Sequence, residues 1–353
     1  MPIQKITIEE FINMDTAAFL LLDVRSPGEY THAHIPSSFN LPLFIDEERK
    51  IVGTTYKQET REKAIKLGLA FFGPKMNDMI EEVEKLIAAH KVLRKIKDHK
   101  QIPIVVHCWR GGMRSAGVAW LLDLYGFKVY TIVGGYKAYR NWTLKQFEIT
   151  YQFRVIGGYT GSGKTGIISL LQQKHITIID LEGIAKHKGS AFGNLAAIPQ
   201  PSQEMFENLL ALELYKLKDQ PIWVEDESQR IGDINMPIQL YNNKQSSPVF
   251  FLDIPFEERL KYIVKDYGKH SKDKLVTAIM RIKKRLGGLD TKNAINFLLE
   301  DDIESCFAIL LKYYDKHYLK GLQSRENISQ LLTTIPCDKV DAVENTRALL
   351  QYI

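Results

Sequence analysis

Short apolar runs along the first part of the chain alternate with longer stretches in which apolar residues return every three or four positions. Phe19-Leu20-Leu21-Leu22-Asp23-Val24, Ile104-Val105-Val106-His107 and Val129-Tyr130-Thr131-Ile132-Val133 read as buried strands, the last closed by Gly134-Gly135. Ser115 to Tyr125 has helical spacing and stops at Gly126, and residues 56–100 are largely helical with a basic end, Lys91 to Lys100. Strands alternating with helices predict a parallel α/β sheet.

Tyr136 to Ile149 is polar and aromatic, and the pattern then restarts. Phe153-Arg154-Val155-Ile156 leads into glycines and a helix, Lys164 to Gln173. Thr177-Ile178-Ile179-Asp180, Ile222-Trp223-Val224 and Val249-Phe250-Phe251-Leu252-Asp253 follow as strands, the last introduced by Pro248, where a missing N–H is tolerated. Long amphipathic stretches, 256–286 and 291–319, and a helix near 342–352 complete the chain. The expectation is a first α/β domain over 1–140, a linker over 141–152 and a second α/β domain over 153–353 with a helical C-terminal part.

With 353 residues, 45% hydrophobic and 25% charged, the composition is that of ordinary globular domains, which excludes disordered and fibrous classes. No apolar run approaches the roughly 20 residues of a membrane span, and Met1 to Glu10 lacks the apolar core of a signal peptide. The expectation is a soluble, cytoplasmic protein with no membrane partner. Three cysteines, Cys108, Cys306 and Cys337, are too few and too scattered for a disulfide framework or a CxxC metal site. The net charge of +5 is modest, but Arg259 to Arg285 holds ten Lys/Arg against Asp266 and Asp273. That concentration marks a candidate surface for an anionic partner.

Two loops carry candidate chemistry. Cys108-Trp109-Arg110-Gly111-Gly112-Met113-Arg114-Ser115 follows a strand and opens a helix. Its paired glycines allow several amide N–H groups to turn inward as an anion nest, and Arg110 and Arg114 stand close by. A cysteine facing such a nest has a lowered pKa and the thiolate character of a nucleophile. Cys306 and Cys337 lack that setting and read as structural. With Asp23-Val24-Arg25, Glu29-Tyr30, His34-Ile35-Pro36 and Gly134-Gly135, this half resembles the rhodanese family, in which the cysteine carries transferred sulfur as a persulfide. Ala33 departs from the glycine that usually precedes His-Ile-Pro there.

The second loop, Gly158-Tyr159-Thr160-Gly161-Ser162-Gly163-Lys164-Thr165, matches GxxxxGK[ST] in full between a strand and a helix. Its amides cradle phosphates, Lys164 neutralises their charge, and Thr165 can ligate Mg²⁺. Val224-Glu225-Asp226-Glu227-Ser228 continues a strand and looks like a Walker B segment, its acid being Asp226 or Glu225. Asn243-Lys244-Gln245-Ser246 departs from the guanine-specifying NKxD at the aspartate. The loop alone leaves ATP, another nucleotide or a non-nucleotide diphosphate open.

A rhodanese-like unit followed by a phosphate-loop unit is an uncommon order. Further stretches make the chain resemble the bacterial tRNA 2-selenouridine synthase family over nearly its whole length. They are Val52-Gly53, Tyr56-Lys57-Gln58, Gly134 to Arg140, Gln200-Pro201-Ser202-Gln203, and Arg285-Leu286-Gly287-Gly288. His187-Lys188-Gly189-Ser190-Ala191-Phe192-Gly193 is similar to the family's HRGSSFG, with Lys188 in place of an arginine and Ala191 of a serine. Lys188 keeps the charge but not a bidentate contact.

The resemblance implies S-geranylation of a wobble 2-thiouridine by geranyl diphosphate, then replacement of the geranylthio group by selenium from selenophosphate. On that reading Cys108 is catalytic, and Arg110, Gly111, Gly112, Met113 and Arg114 hold selenophosphate. Gly158, Gly161, Ser162, Gly163, Lys164 and Thr165 hold the diphosphate; no tightly bound cofactor is expected, and Thr165 offers a ligand should Mg²⁺ accompany the diphosphate. The tRNA backbone falls to Lys261, Lys265, Arg281, Lys284 and Arg285. Lys261 and Lys265, like Arg281 and Arg285, are four apart and can share a helix face; Lys91 to Lys100 is the rival location. Two other classes stand beside this one. A sulfurtransferase fused to an ATP-dependent kinase or ATPase would need Glu227 and would turn over nucleotide. A non-catalytic binding module would leave Cys108 inert to thiol reagents at neutral pH.

Overall fold

Strands buried on both faces read as unbroken apolar runs, and those runs become the central strands of two parallel sheets. The computed structural model describes residues 3–15, 18–90, 99–189 and 199–352, and the chain divides into two units, Met1–Lys145 and Gln146–Ile353. The rival basic stretch lies, for residues 91–98, outside the described residues.

The first unit begins with β1 (Gln4–Ile6), α1 (Ile8–Ile12), β2 (Leu20–Asp23), α2 (Pro27–His32) and β3 (Phe39–Asn40). Three helices follow, α3 (Asp46–Gln58), α4 (Arg61–Phe72) and α5 (Met76–Ala89). It closes with β4 (Pro103–His107), α6 (Met113–Tyr125), β5 (Lys128–Ile132) and α7 (Gly135–Gln146). The sheet order is β1-β5-β4-β2-β3, all parallel. Leu20, Leu22, Ile104 and Val106 face Val83 and Ile87 of α5 and Val118 and Leu122 of α6 in one apolar core. Gly126 ends α6 at φ +104°, as its position in the sequence predicts. The helix α7 runs into the stretch expected as a linker. Tyr136, Tyr139 and Trp142 recur at three-residue intervals and are buried, so their burial carries the helix on to Gln146.

The second unit opens with β6 (Phe153–Gly158), α8 (Lys164–Gln173), β7 (Ile178–Ile179), α9 (Leu181–Ala185) and α10 (Gln203–Leu217). Then come β8 (Ile222–Glu225), a small antiparallel pair β9 (Arg230–Ile231) and β10 (Ile234–Asn235), α11 (Ile238–Gln245) and β11 (Val249–Asp253). The C-terminal part is α12 (Phe256–Tyr267), α13 (Lys272–Leu286), α14 (Gly288–Leu299), α15 (Ile303–Gln323), α16 (Ile328–Leu331), β12 (Leu332–Pro336) and α17 (Ala342–Leu349). The order β12-β11-β6-β8-β7 is again parallel throughout. Ile156, Trp223 and Leu252 of this sheet pack on Ile167 and Leu171 of α8. A second core, with Leu260, Ile279, Leu298, Phe307 and Leu310, joins α12 to α15.

Each long C-terminal stretch is two helices rather than one. Residues 256–286 break after Tyr267, and Ser271 stands at the N-cap of α13. Residues 291–319 break at Asp301, which takes φ +64°, and Asp302 caps α15 by accepting from the Ser305 amide at 3.0 Å. β12 pairs with β11 from Val249↔Leu332 to Asp253↔Pro336. It was not expected, because Leu332-Thr-Thr-Ile-Pro is too short and too polar to stand out as an apolar run.

Candidate functional site

In both units the candidate loop leaves the C-terminal end of a central strand, where parallel sheets bind ligands. Cys108 follows β4, which lies between β2 and β5, and its loop enters α6. Gly111 takes φ +64°, and a Cβ there would stand 2.6 Å from the Ile132 carbonyl. Gly135 takes φ +57°, and a Cβ there would collide with the Cys108 carbonyl and the Gly111 amide. The Tyr136 and Lys137 amides then donate to the Cys108 and Trp109 carbonyls, each at 2.9 Å. Gly134-Gly135 is therefore the outer brace of the cysteine loop.

The Cys108 thiol is buried, with Sγ 3.2 Å from Ser115 Oγ. Burial pushes its pKa up, but the Ser115 hydrogen bonds, the Arg114 charge and a backbone contact at Arg110 outweigh it and leave the thiol below its ordinary value. Arg114 is not free. Its Nη1 lies 2.7 Å from Glu29 Oε2, so it contributes field from a fixed place at the rim. Arg110 and Met113 are exposed. Behind the loop, buried Arg25 donates to Asp23 at 2.6–3.0 Å and to the Ala33 carbonyl at 2.7 Å, with its guanidinium 3.8 Å over the Tyr136 ring. Ser115 and Glu29 acquire these roles only through the fold. By contrast, burial drives the Cys306 and Cys337 thiols up to about 12 and about 11, which leaves both inert.

In the second unit Gly158, Gly161 and Gly163 take positive φ around the phosphate loop, and Lys164 Nζ donates to the Gly158 carbonyl at 3.0 Å. Arg259 supports the loop from below. It is buried, donates to the Thr160 carbonyl at 3.1 Å and forms a bidentate pair with Asp315 at 2.8–2.9 Å. This removes Arg259 from the basic surface to which the charge count assigns it.

The two Walker B candidates separate. Asp226 is committed to support: Lys244, Arg325 and the Tyr318 hydroxyl all contact its carboxylate, the last at 2.7 Å. Burial pushes Asp226 up, but Lys244 and Arg325 outweigh it and hold it below the ordinary carboxylate range. Tyr318 also accepts from the Gly158 amide at 3.1 Å, which ties α15 to the loop. Glu225 instead joins Glu182 and Glu227, with carboxylate oxygens lying within 4.8 Å of one another. Burial and mutual repulsion raise Glu225 well above its ordinary value and Glu227 to about 7. The loop and these acids front a cleft of about 740 Å³ that α12, α13 and α15 also line.

The model of the family described as tRNA 2-selenouridine synthase AAA domain matches residues 151–340. That of the rhodanese-like domain matches residues 7–141. A tRNA 2-selenouridine synthase of Nitrosomonas eutropha is 34% identical, over 90% of this chain and 92% of its own. The one from Sulfurovum sp. is 33% identical over 91% and 93%, and that of Bdellovibrio bacteriovorus 38% over 76% and 69%. The chain belongs to the tRNA 2-selenouridine synthase family.

In this member of the tRNA 2-selenouridine synthase family the five basic residues singled out for RNA do not share one surface role. Lys261 and Lys265 are exposed on α12, Lys261 paired with Glu258 at 2.7 Å. Arg281 and Lys284 are exposed on α13, and Arg281 lies close enough to His187 to lower its pKa, after burial. Arg285 lines the cleft in front of the phosphate loop. Among the described residues no helix is long and apolar enough to cross a membrane.

Proposed function

We propose that the chain is a two-step transferase that converts wobble 2-thiouridine of tRNA to 2-selenouridine through S-geranyl-2-thiouridine. The observation that carries this reading is the pairing, in one chain of this family, of a buried cysteine beside Ser115 on a glycine-braced loop with a phosphate loop that fronts a large cleft. The phosphate loop and Lys164 take the diphosphate of geranyl diphosphate. When the sulfur of 2-thiouridine attacks the first carbon of the geranyl chain, they stabilise the charge that leaves with the diphosphate. The anion nest after Cys108, with Arg110 and Arg114 at its rim, takes selenophosphate. Cys108 serves the selenium transfer: the selenium of selenophosphate held beside it attacks C2 of the nucleobase, the geranylthio group leaves as a thiol, and hydrolysis of the Se–P bond releases inorganic phosphate. The exposed bases of α12 and α13 follow the RNA backbone, since contacts to phosphate position an RNA without reading it.

Mg²⁺ fits the second unit, because carboxylate oxygens are the hard ligands it prefers and three converge beside the loop. Thr165 and the cluster of Glu182, Glu225 and Glu227 would hold it, whereas Asp226 is already neutralised. Bound there, it would supply charge neutralisation to the diphosphate.

The test is reconstitution with purified protein and a 2-thiouridine anticodon stem-loop RNA, followed by nucleoside mass spectrometry. Geranyl diphosphate alone should give the S-geranyl nucleoside, and selenophosphate added afterwards should give 2-selenouridine. ATP turnover during the reaction, with no prenyl product, would favour the kinase or ATPase reading and sink this one.

A further inference from the structure

The cleft before the phosphate loop extends well past the space a diphosphate occupies, and its far walls are aromatic. Tyr313, Tyr314 and His317 line it from one ridge of α15, while Tyr262 and Tyr267 line it from α12. The α15 rings brace one another: Tyr313 meets His317 edge-on at 4.5 Å and Tyr314 at 5.1 Å. Ile263 and Leu322 are the only aliphatic side chains of the lining among the described residues. A wall of this kind suits a flat ring with a polar edge better than a branched hydrocarbon chain.

Arg325, on the same wall, supplies a second and independent observation. It is 7% exposed, and its Nη2 is held by Asp226. Its Nε and Nη1 donors are buried with no hydrogen-bond partner among the described residues. Buried donors are normally paired, so this pair calls for an acceptor from a ligand. A pyrimidine presents such an acceptor as a ring carbonyl.

We propose that this cleft is a nucleobase site. It takes an unstacked pyrimidine of a single-stranded RNA loop, with the ring against Tyr313 and His317 and a ring carbonyl toward Arg325. The inference rests on the RNA-modifying reading above and adds where the base is held. It also gives Arg285, which lines the cleft beside Tyr313, a place at the nucleotide itself rather than along the outer backbone.

The first experiment uses the full chain with an anticodon stem-loop carrying 4-thiouridine at the modified position, irradiated at long wavelength and mapped by mass spectrometry. The crosslink should fall between Tyr313 and Arg325; a crosslink confined to the outer faces of α12 or α13 overturns the proposal. The second compares affinities. Tyr313→Ala should weaken RNA binding roughly ten- to a hundredfold, the loss of one stacked base, while geranyl diphosphate binding stays within about twofold. Tyr313→Phe should restore the RNA affinity. Weakened geranyl diphosphate binding with normal RNA affinity in Tyr313→Ala would assign the wall to the prenyl chain and overturn the base site. The RNA measurements need no donor. A wild-type protein that crosslinks through α15 yet ignores geranyl diphosphate would therefore support the base site while overturning the donor assignment.

Discussion

The cysteine loop and the phosphate loop follow one recipe: a central parallel strand, glycines at positive φ, and the first turn of a helix. What stands opposite them differs. The cysteine loop is closed in by its own unit, with Gly135 against Gly111, Tyr136 on the Cys108 carbonyl and Arg114 tied to Glu29. The phosphate loop is braced from behind by Arg259 and Tyr318, and its open side faces about 740 Å³ to which α12, α13 and α15 contribute. A strand-loop-helix thus sets the charge of the ligand, and the elements added around it set the ligand's size. On the function proposed above, a small anion takes the first loop and a diphosphate with a bulkier remainder the second.

This contrast can be broken one loop at a time. Cys108→Ala should abolish 2-selenouridine formation while leaving RNA binding and geranylation largely intact. Nucleoside mass spectrometry that still finds 2-selenouridine at the normal rate would remove Cys108 from the chemistry. Asp226→Ala should be the most destabilising single change behind the phosphate loop, because it leaves buried Lys244 and Arg325 facing each other without their shared carboxylate. Breaking a buried pair costs about 3–5 kcal/mol, so calorimetry should show melting of the second unit fall by roughly 10 °C. Unchanged melting with lost activity would make Asp226 a ligand-binding acid instead of a brace.

Smaller effects sharpen the comparison. Lys164→Ala removes one charge-assisted hydrogen bond to phosphate, about 1.5–3 kcal/mol, and should slow geranylation tenfold or more. Displacement of a geranyl group already installed should proceed normally, and loss of that step alone would reverse the division between the loops. At the cysteine, the thiolate is the reactive form, so alkylation by iodoacetamide should rise with pH through the thiol pKa. That rise should come below the range of an ordinary thiol, since Ser115 and Arg114 lower the value. Ser115→Ala should move the rise upward, because it removes the side-chain hydrogen bond that helps to lower the thiol pKa. A midpoint that stays put would leave Arg114 and the amides as the whole cause. The mildest change is Arg281→Glu with Lys284→Glu, on the exposed side of α13. It should weaken tRNA binding and lower the salt slope by about 0.7–0.9 for each phosphate that is no longer neutralised; an unchanged slope would make these side chains ordinary solvent-facing charges.

The parts of the site that were legible in the sequence are those whose chemistry is local. A cysteine followed by two glycines, or GxxxxGKT after a strand, carries its neighbours within eight residues. The support was not legible. Asp226 meets Arg325 and Tyr318 from more than ninety residues away, and no spacing within either segment announces that meeting. Charge counting failed at Arg259 for a related reason, since a count cannot tell a solvated arginine from one buried against Asp315. One signal does lie in the sequence: Tyr313, Tyr314, His317 and Tyr318 fall at spacings that place rings along one ridge of a helix. Strands that are continuous apolar runs are legible in the sequence, whereas the edge strands β1, β3 and β12 are short and partly polar and are not.

The close approach of Gly111 and Gly135 bears on redesign. Each backbone occupies the space a side chain on the other would need, and both hold left-handed torsions, so mutational variation at one position is strained whatever is done at the other. A library meant to retune the cysteine loop for a different small anion has no useful freedom there. Its freedom lies at Trp109, Arg110 and Met113, whose side chains are exposed on a backbone the glycines have already set. In this loop the residues that fix the shape and those that can alter the preference are separate sets, and a directed-evolution search can be confined to the second.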